Sequence, residues 1–227
     1  MPADSGPPRP GRRYSTFVGI AFLALIVVAT LNTIRTKGGA TLARGTPLPE
    51  FAVPDARTGP LDSDANIFQD DCSTSENPCP SDARRTPACE IHVRGAIRVC
   101  DLFNRPLVIS FWFTKGANCL PTQDLVDQAA RRYRGRVNFL SIDIRDDPGT
   151  VRQIVSDHGW TMPVGYDRDG AVSDLYRVGV CPTLAFAYPG GILGFEKIGT
   201  DELSAPMLNA DLQRLLRESG RRAREDR

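Results

Sequence analysis

The chain has 227 residues, which is enough for one domain with a sizeable core plus accessory segments. Its 28 Lys and Arg residues are nearly balanced by 27 Asp and Glu residues, so the net charge of +1 argues against a nucleic-acid-binding surface. With only two histidines but six cysteines, the sequence favours thiol chemistry over histidine-based catalysis.

The amino-terminal region predicts a membrane anchor. Residues 1–14 are rich in Pro, Gly and Arg and are expected to form a disordered tail. Within the following segment, 15–36, the stretch Ser15 to Ile34 has no charged residue, and a helix of about 20 apolar residues spans a bilayer. Ala29-Thr30-Leu31 is a poor cleavage site for a signal peptide, and a core helix would show a polar face. We therefore expect one uncleaved transmembrane helix.

The cysteines favour an oxidising compartment for the rest of the chain. Arginines flank the apolar segment on both sides, so the positive-inside rule barely discriminates between orientations. Four of the six cysteines are crowded between residues 72 and 100, as in disulfide-bonded extracytoplasmic proteins. We expect a single-pass protein of the cell membrane with its amino terminus inside and its carboxy-terminal domain outside. A tether over 37–46 would lead to a domain over 47–219, and 220–227 would be a charged tail.

A polar insertion over 56–88 interrupts the start of this domain. It is rich in Pro and Ser, lacks periodicity and carries Cys72 and Cys79. These two are candidates for a structural disulfide. A metal site ranks lower, because the insertion has no nearby histidine pair and no CxxC repeat.

The segment from Cys89 to Cys100 predicts a β-hairpin. Two five-residue segments that mix apolar and polar residues, 89–93 and 96–100, flank Arg94-Gly95, which would supply the turn. Folding about that turn places Cys89 opposite Cys100. The sequence therefore predicts a second structural disulfide, across the two strands.

The centre of the domain is a buried strand followed by a helix. Residues 106–110 form a continuous apolar run that continues into Phe111 and Trp112, as expected of a strand buried on both faces. Apolar residues recur at helical spacing from Leu125 to Tyr133. Cys119 thus lies where a helix begins, a position whose free N–H groups and dipole stabilise a thiolate.

Strands and helices alternate along the remaining chain, which predicts an α/β fold with parallel strands at the sheet centre. The predicted elements are a strand over 136–144, a helix over 148–158, a short helix over 171–177, a hairpin that turns at 188–191, and a final amphipathic helix marked by Leu203, Leu208, Leu212, Leu215 and Leu216. No internal repeat is apparent.

Three motifs arrive in order and carry a resemblance. They are Phe111-Trp112 before the helix, Pro163-Val164 with Tyr166-Asp167 and Gly170, and Gly179-Val180-Cys181-Pro182-Thr183. Together they resemble the thioredoxin superfamily, most closely its membrane-anchored, extracytoplasmic TlpA/ResA-like branch of thiol-disulfide oxidoreductases. The resemblance covers roughly residues 47–218. It implies a thioredoxin-like fold, with a central mixed sheet flanked by helices and an amino-terminal β-hairpin after Pro47-Leu48-Pro49-Glu50-Phe51.

The active-site motif departs from this family. The family carries Trp-Cys-x-x-Cys at the helix start, where its first cysteine attacks and its second resolves. Here Cys119 matches the second cysteine, but Gly116 occupies the place of the first and Lys115 that of the tryptophan. Half of the usual redox pair is absent.

The resemblance also implies the remaining site residues. It makes Pro182 a cis-proline facing the motif, which would bring Cys181 close to Cys119 and makes these two the catalytic candidates. Trp112, Gly116, Pro182 and Thr183 are the candidates for substrate binding. No metal or other cofactor is implied, and the expected partners are thiol- or disulfide-containing proteins outside the cytoplasm.

Several functions remain open at this point. Cys119 and Cys181 form a relocated redox pair, or a fixed disulfide that only staples strand to helix. A single-cysteine peroxiredoxin-like peroxidase is weaker, because Trp112 and Gly116 replace two of its three motif residues. A non-catalytic binding module, which holds an extended peptide beside the cis-proline, would follow from loss of the nucleophile.

Overall fold

The computed structural model describes residues 19–20, 22–26, 42–59, 87–90, 92–116, 118–199 and 203–225. The chain divides into two units, residues 1–40 and 41–227. The predicted tail over 1–14, most of the predicted anchor, and most of the insertion with Cys72 and Cys79 lie outside the described residues.

The described residues of the first unit, 19–20 and 22–26, are helical, and their large apolar side chains are exposed. Within the described part of the chain, no helix is both long and apolar enough to cross a membrane. The anchor over 15–36 stays a prediction.

The second unit is built on a mixed sheet. The described strands are β1 (Ala52–Pro54), β2 (Ala96–Arg98), β3 (Leu107–Trp112), β4 (Asn138–Ile144), β5 (Val164–Asp167), β6 (Thr183–Tyr188) and β7 (Ile192–Ile198). The main sheet has the order β5-β4-β3-β6-β7. β3 runs parallel to β4 and antiparallel to β6. The central strand is therefore the one that leads to Cys119, and its six residues are all buried.

Helices cover the sheet. They are α1 (Leu120–Arg132), α2 (Pro148–Asp157), α3 (Ala171–Leu175) and α4 (Ala205–Glu225). Successive side chains of a strand point to opposite faces. Val108 of β3 accordingly packs in one apolar cluster with residues of α1, α2 and α4, whereas Ile109 packs in a second cluster with β1 and α3. Helices therefore pack on both faces of the mixed sheet, which confirms the predicted α/β fold.

The predicted hairpin over 89–100 is wrong. β2 pairs antiparallel with β1, which lies before the insertion, and Cys89 and Cys100 lie in short 3₁₀ turns, Ala88–Glu90 and Val99–Leu102. Gly95 does turn the chain, with φ of +80°, but its carbonyl accepts the N–H of Asp55 at 2.8 Å. The turn therefore docks β2 onto β1, and this two-stranded sheet replaces a local hairpin.

The final helix is longer than the sequence predicted. α4 continues past Gly220 to Glu225, where a charged tail was expected. Arg221 and Glu225 lie one turn apart with 3.6 Å between Nε and Oε1, a spacing that supports an exposed helix.

Candidate active site

The strand-to-helix junction places Cys119 at the start of α1. β3 ends at Trp112, and Cys119 is the residue that caps the helix amino terminus. Its carbonyl accepts the N–H groups of Thr122 at 3.1 Å and of Gln123 at 3.2 Å, while its side chain makes no capping hydrogen bond. The sulfur is thus free to bond elsewhere.

Cys119 is joined to Cys181 by a disulfide. The two residues are 62 positions apart in sequence and their Cα atoms are 6.2 Å apart, within the usual range for such a bond. Cys181 precedes a cis peptide to Pro182. The sheet explains why they meet, because β6 begins beside the end of β3, with Thr183 opposite Phe111.

The bond lies beneath the surface. Cys119 is 0 % exposed and Cys181 is 5 % exposed, and both pack in the apolar cluster that contains Trp112. Cys181 Sγ lies 3.9 Å from the carbonyl oxygen of Phe113. The residues before each cysteine are more open, since Asn118 and Val180 are exposed. A disulfide so placed is a reactant for thiol-disulfide exchange once a thiolate reaches it.

Gly116 occupies an open position. It is exposed with φ of +85°, and a Cβ atom added there would meet no atom within 4 Å. Space therefore does not exclude a cysteine, although a side chain at this φ strains the backbone.

The other residues that the sequence placed in substrate binding lie inside. Trp112 is fully buried and meets the ring of Trp160 edge-on at 5.3 Å between centroids. Pro182 is buried, and the Thr183 hydroxyl donates to the carbonyl of Val180 at 2.6 Å. Of these four candidates, Gly116 alone is exposed. The side chains of the other three are buried, and their part in substrate binding stays a prediction.

Two buried carboxyl groups beneath the junction were missed by the sequence reasoning. Asp143 lies beside Trp112 in the parallel pairing of β3 and β4 and is fully buried. Its Oδ1 accepts the N–H of Asp146 at 3.2 Å, and Asp146 Oδ2 accepts the N–H of Thr114 at 2.7 Å. These bonds tie the end of β4 to the loop that leads to Cys119. An aspartate inside the apolar run 139–144 was the signal that could have identified the pair.

The environment of Asp143 favours its protonated carboxyl group. Burial raises the pKa of Asp143 to about 9, and the neighbouring Asp146 acts in the same direction. Asp143 Oδ2, Asp146 Oδ1 and Trp112 Nε1 have no hydrogen-bond partner among the described residues. The positively charged Nζ of Lys115 lies 3.9 Å from Asp146 Oδ1.

A second buried network fixes α1 on the sheet. Gln123 Nε2 donates to Ser110 Oγ at 2.7 Å, and Ser141 Oγ donates to Gln123 Oε1 at 2.9 Å. The first turn of α1 is thereby bonded to β3 and β4. This arrangement holds the position of Cys119 relative to the sheet.

Cys89 and Cys100 form a disulfide away from the junction, with Cα atoms 5.8 Å apart. The Cys89 N–H donates to Glu50 Oε2 at 3.3 Å, and a carboxylate oxygen of Glu50 lies within 4.8 Å of both sulfurs. Ligation of a metal would require both thiolates, which the disulfide occupies. The other predicted pair, Cys72 and Cys79, lies outside the described residues.

The sequence is similar to known thiol-disulfide oxidoreductases. No protein-family model matches it. It is 25% identical over 99 residues to the thiol-disulfide oxidoreductase ResA of Oceanobacillus iheyensis, a match that spans 43% of this chain and 52% of ResA. It is 23% identical over 121 residues to the thiol-disulfide oxidoreductase YkuV of Bacillus subtilis, covering 51% of this chain and 80% of YkuV. The chain therefore spans only about half the length of the ResA relative.

Solved structures identify the fold. A putative thiol:disulfide interchange protein DsbE from Chlorobium tepidum matches with a TM-score of 0.57 and 15% identity over 78% of this chain and 99% of that protein. An uncharacterized conserved protein from Geobacillus kaustophilus matches with a TM-score of 0.57 and 16% identity, covering 79% of this chain and 85% of that one. The chain therefore has a thioredoxin-like fold and is similar in sequence to thiol-disulfide oxidoreductases of the ResA kind.

Proposed function

We propose that this protein is a thiol-disulfide oxidoreductase whose redox pair is Cys119 and Cys181. One observation carries the proposal: the two cysteines are bonded to each other at the start of α1, beside the end of the central strand. The similarity to thiol-disulfide oxidoreductases supports the same class of reaction. In this proposal Cys181, in the loop before β6, replaces the cysteine that the family carries at the position of Gly116.

The reaction is thiol-disulfide exchange. A substrate thiolate attacks one sulfur of the pair, forms a mixed disulfide and releases the other sulfur as a thiolate. A second substrate thiolate then attacks the substrate sulfur of the mixed disulfide and releases the remaining cysteine. The substrate dithiol is oxidised to a disulfide and the Cys119–Cys181 disulfide is reduced to two thiols; the reverse sequence reduces a substrate disulfide.

Paired variants test this proposal. Thiol-transfer activity toward a disulfide-containing protein is expected to disappear in the Cys119→Ser/Cys181→Ser double variant and to persist in Cys89→Ser/Cys100→Ser, which removes the other described disulfide. The control variant shows whether the loss of activity is specific to the Cys119–Cys181 pair or follows from the loss of any disulfide. Activity that survives the first double variant would contradict the proposal.

A non-catalytic binding module is the second candidate. Both cysteines are buried, and position 116 holds a glycine where the family has its attacking cysteine. These features favour a binding module, because a disulfide that only crosslinks the fold needs no access for substrate. Under this alternative, Gly116→Cys would show strong reductase activity and the natural chain none. The peroxidase alternative needs a free Cys119 thiolate, whereas Cys119 is in a disulfide here.

We further propose that the domain lies outside the cytoplasm on a single transmembrane helix over 15–36. The uncharged stretch from Ser15 to Ile34 and the six cysteines support this location. The partners there would be proteins with thiols or disulfides. A protease added to intact spheroplasts should digest the domain, and full protection until lysis would contradict the orientation.

A further inference from the structure

We infer that the attacking thiol reacts at Cys181, which follows the exposed residues Gly179 and Val180, and that Cys119 at the start of α1 is the leaving group. The inference rests on the proposed function and assigns the two chemical roles within the pair. It makes Cys181 the residue that carries the mixed disulfide with the substrate. When the reduced pair attacks a substrate disulfide, Cys119 resolves that intermediate.

Access to the disulfide differs between its two ends. Cys119 is 0 % exposed, whereas Cys181 retains 5 % exposure. Exposed residues precede both cysteines: Asn118 before Cys119, and Gly179 with the 50 % exposed Val180 before Cys181. An attacking thiolate must reach the sulfur that it bonds. Cys181 keeps the larger accessible surface of the two cysteines, and the exposed segment before it is where we place the approach of the thiolate.

The two sulfurs also differ as leaving groups. Cys119 caps α1, where free N–H groups and the helix dipole stabilise a thiolate. Cys181 Sγ instead lies 3.9 Å from the carbonyl oxygen of Phe113, whose partial negative charge opposes a thiolate there. The thiolate of lower pKa leaves faster in disulfide exchange. Both considerations direct attack to Cys181.

The exchange proceeds through a mixed disulfide on Cys181. A substrate thiolate bonds to Cys181 Sγ, the Cys119–Cys181 bond breaks, and its electron pair stays on Cys119 as a thiolate. When the substrate has a second thiol, its thiolate attacks the substrate sulfur and Cys181 leaves. When it has none, attack of Cys119 on Cys181 expels the substrate thiolate and reverses the first step. The same attack is productive in the reductive direction, where it releases a substrate thiolate formed from a substrate disulfide. The cysteine that bonds to the substrate therefore lies in the loop before β6. In the family pattern, the attacking cysteine would stand at position 116.

The direct test traps the intermediate on the full-length oxidised protein. The protein is mixed with limiting reduced glutathione, quenched with acid, alkylated and mapped by mass spectrometry of peptides. We expect glutathione on Cys181 and the alkyl label on Cys119, in about tenfold excess over the reverse arrangement. Glutathione mainly on Cys119, or equally on both, would overturn the inference while leaving the proposed function intact. An unmodified Cys119–Cys181 bond under excess glutathione would overturn both.

A pair of bulky substitutions tests the approach side independently. Val180→Trp covers the exposed face beside Cys181, whereas Met207→Trp adds the same side chain at a 41 % exposed position on α4. Glutathione should reduce the Cys119–Cys181 bond about tenfold more slowly in Val180→Trp and at the natural rate in Met207→Trp. Thermal melting of both variants verifies that they fold. An unchanged rate in folded Val180→Trp would contradict attack from this side.

Discussion

Asp146 accepts the backbone N–H of Thr114 at 2.7 Å, so a buried carboxyl group at the end of β4 holds the loop that leads to Cys119. The loop is fixed at its other end by the disulfide to Cys181. The conformation of the candidate site therefore depends on an acidic pair as well as on the two cysteines.

Loss of this carboxyl group should loosen the loop. Asp146→Ala removes the acceptor for Thr114, and we expect the free energy of unfolding to fall by about 1–3 kcal/mol. Glutathione should also reduce the Cys119–Cys181 bond faster. Asp146→Asn is the matched control, because its amide oxygen keeps an acceptor at the same place. Urea unfolding and reduction kinetics check both effects; equal behaviour of the two variants would show that the hydrogen bond to Thr114 is unimportant.

Stability should decrease as pH rises because of Asp143. Its pKa is raised from 3.8 to about 9 in the folded protein, chiefly by burial. Between these values the folded state keeps a proton that the unfolded state has lost, so stability falls by up to about 1.4 kcal/mol per pH unit. Burial likewise raises the pKa of Asp167 to about 6, which adds the same trend at lower pH.

The variant Asp143→Asn isolates this contribution. The variant has no carboxyl group to ionise at this position. Its free energy of unfolding, relative to that of the natural chain, should therefore rise steadily from pH 5 to pH 8, two test values within the window of about 4–9. Urea unfolding at each pH measures the difference between the two proteins. A difference that is constant with pH would mean that Asp143 ionises alike in the folded and unfolded states.

Gly116→Cys should create a competing partner for Cys119. The position is open, so the variant should fold, with a loss of about 1–2 kcal/mol because an L residue adopts φ of +85° there. Gly116→Ala carries the same backbone strain without a thiol and serves as the control. Peptide mapping should find Cys119 bonded to the introduced cysteine in part of the molecules. Exclusive retention of the bond to Cys181 would show that the loop holds position 116 out of reach.

The two described disulfides should contribute unequally to stability. By loop length, removing the bond between Cys119 and Cys181, 62 residues apart, should lower the free energy of unfolding by about 4 kcal/mol. Removing Cys89–Cys100, 11 residues apart, should lower it by about 3 kcal/mol. Denaturation of the two Ser double variants tests the order. The opposite order would indicate that chain entropy does not dominate.

The central part of the fold could be predicted because its signals are local. The apolar run before Phe111 marks a buried strand, and the helical spacing from Leu125 onward marks α1, so Cys119 was placed at a helix start from the residues alone. The pairing of Cys119 with Cys181 spans 62 positions and depends on the order of strands in the sheet. It came from the family resemblance, because no local pattern encodes it.

The errors also have physical causes. Gly95 forms the expected turn, but the partner of β2 is decided by packing with β1, which lies on the far side of the insertion. Asp146 and Asp147 are adjacent acids before α2, but only Asp147 caps the helix, whereas Asp146 accepts the N–H of Thr114. Tertiary contacts of this kind leave no periodic trace in sequence.

Disulfide mapping of the protein across glutathione redox buffers tests the central claim most directly. Non-reduced tryptic peptides report the fraction of Cys119–Cys181 and of Cys89–Cys100 that remains bonded at each potential. A redox pair predicts that Cys119–Cys181 opens within the range of redox-active proteins, at about −120 to −270 mV, while Cys89–Cys100 persists. A Cys119–Cys181 bond that resists reduction below about −300 mV, as structural disulfides do, would contradict the account.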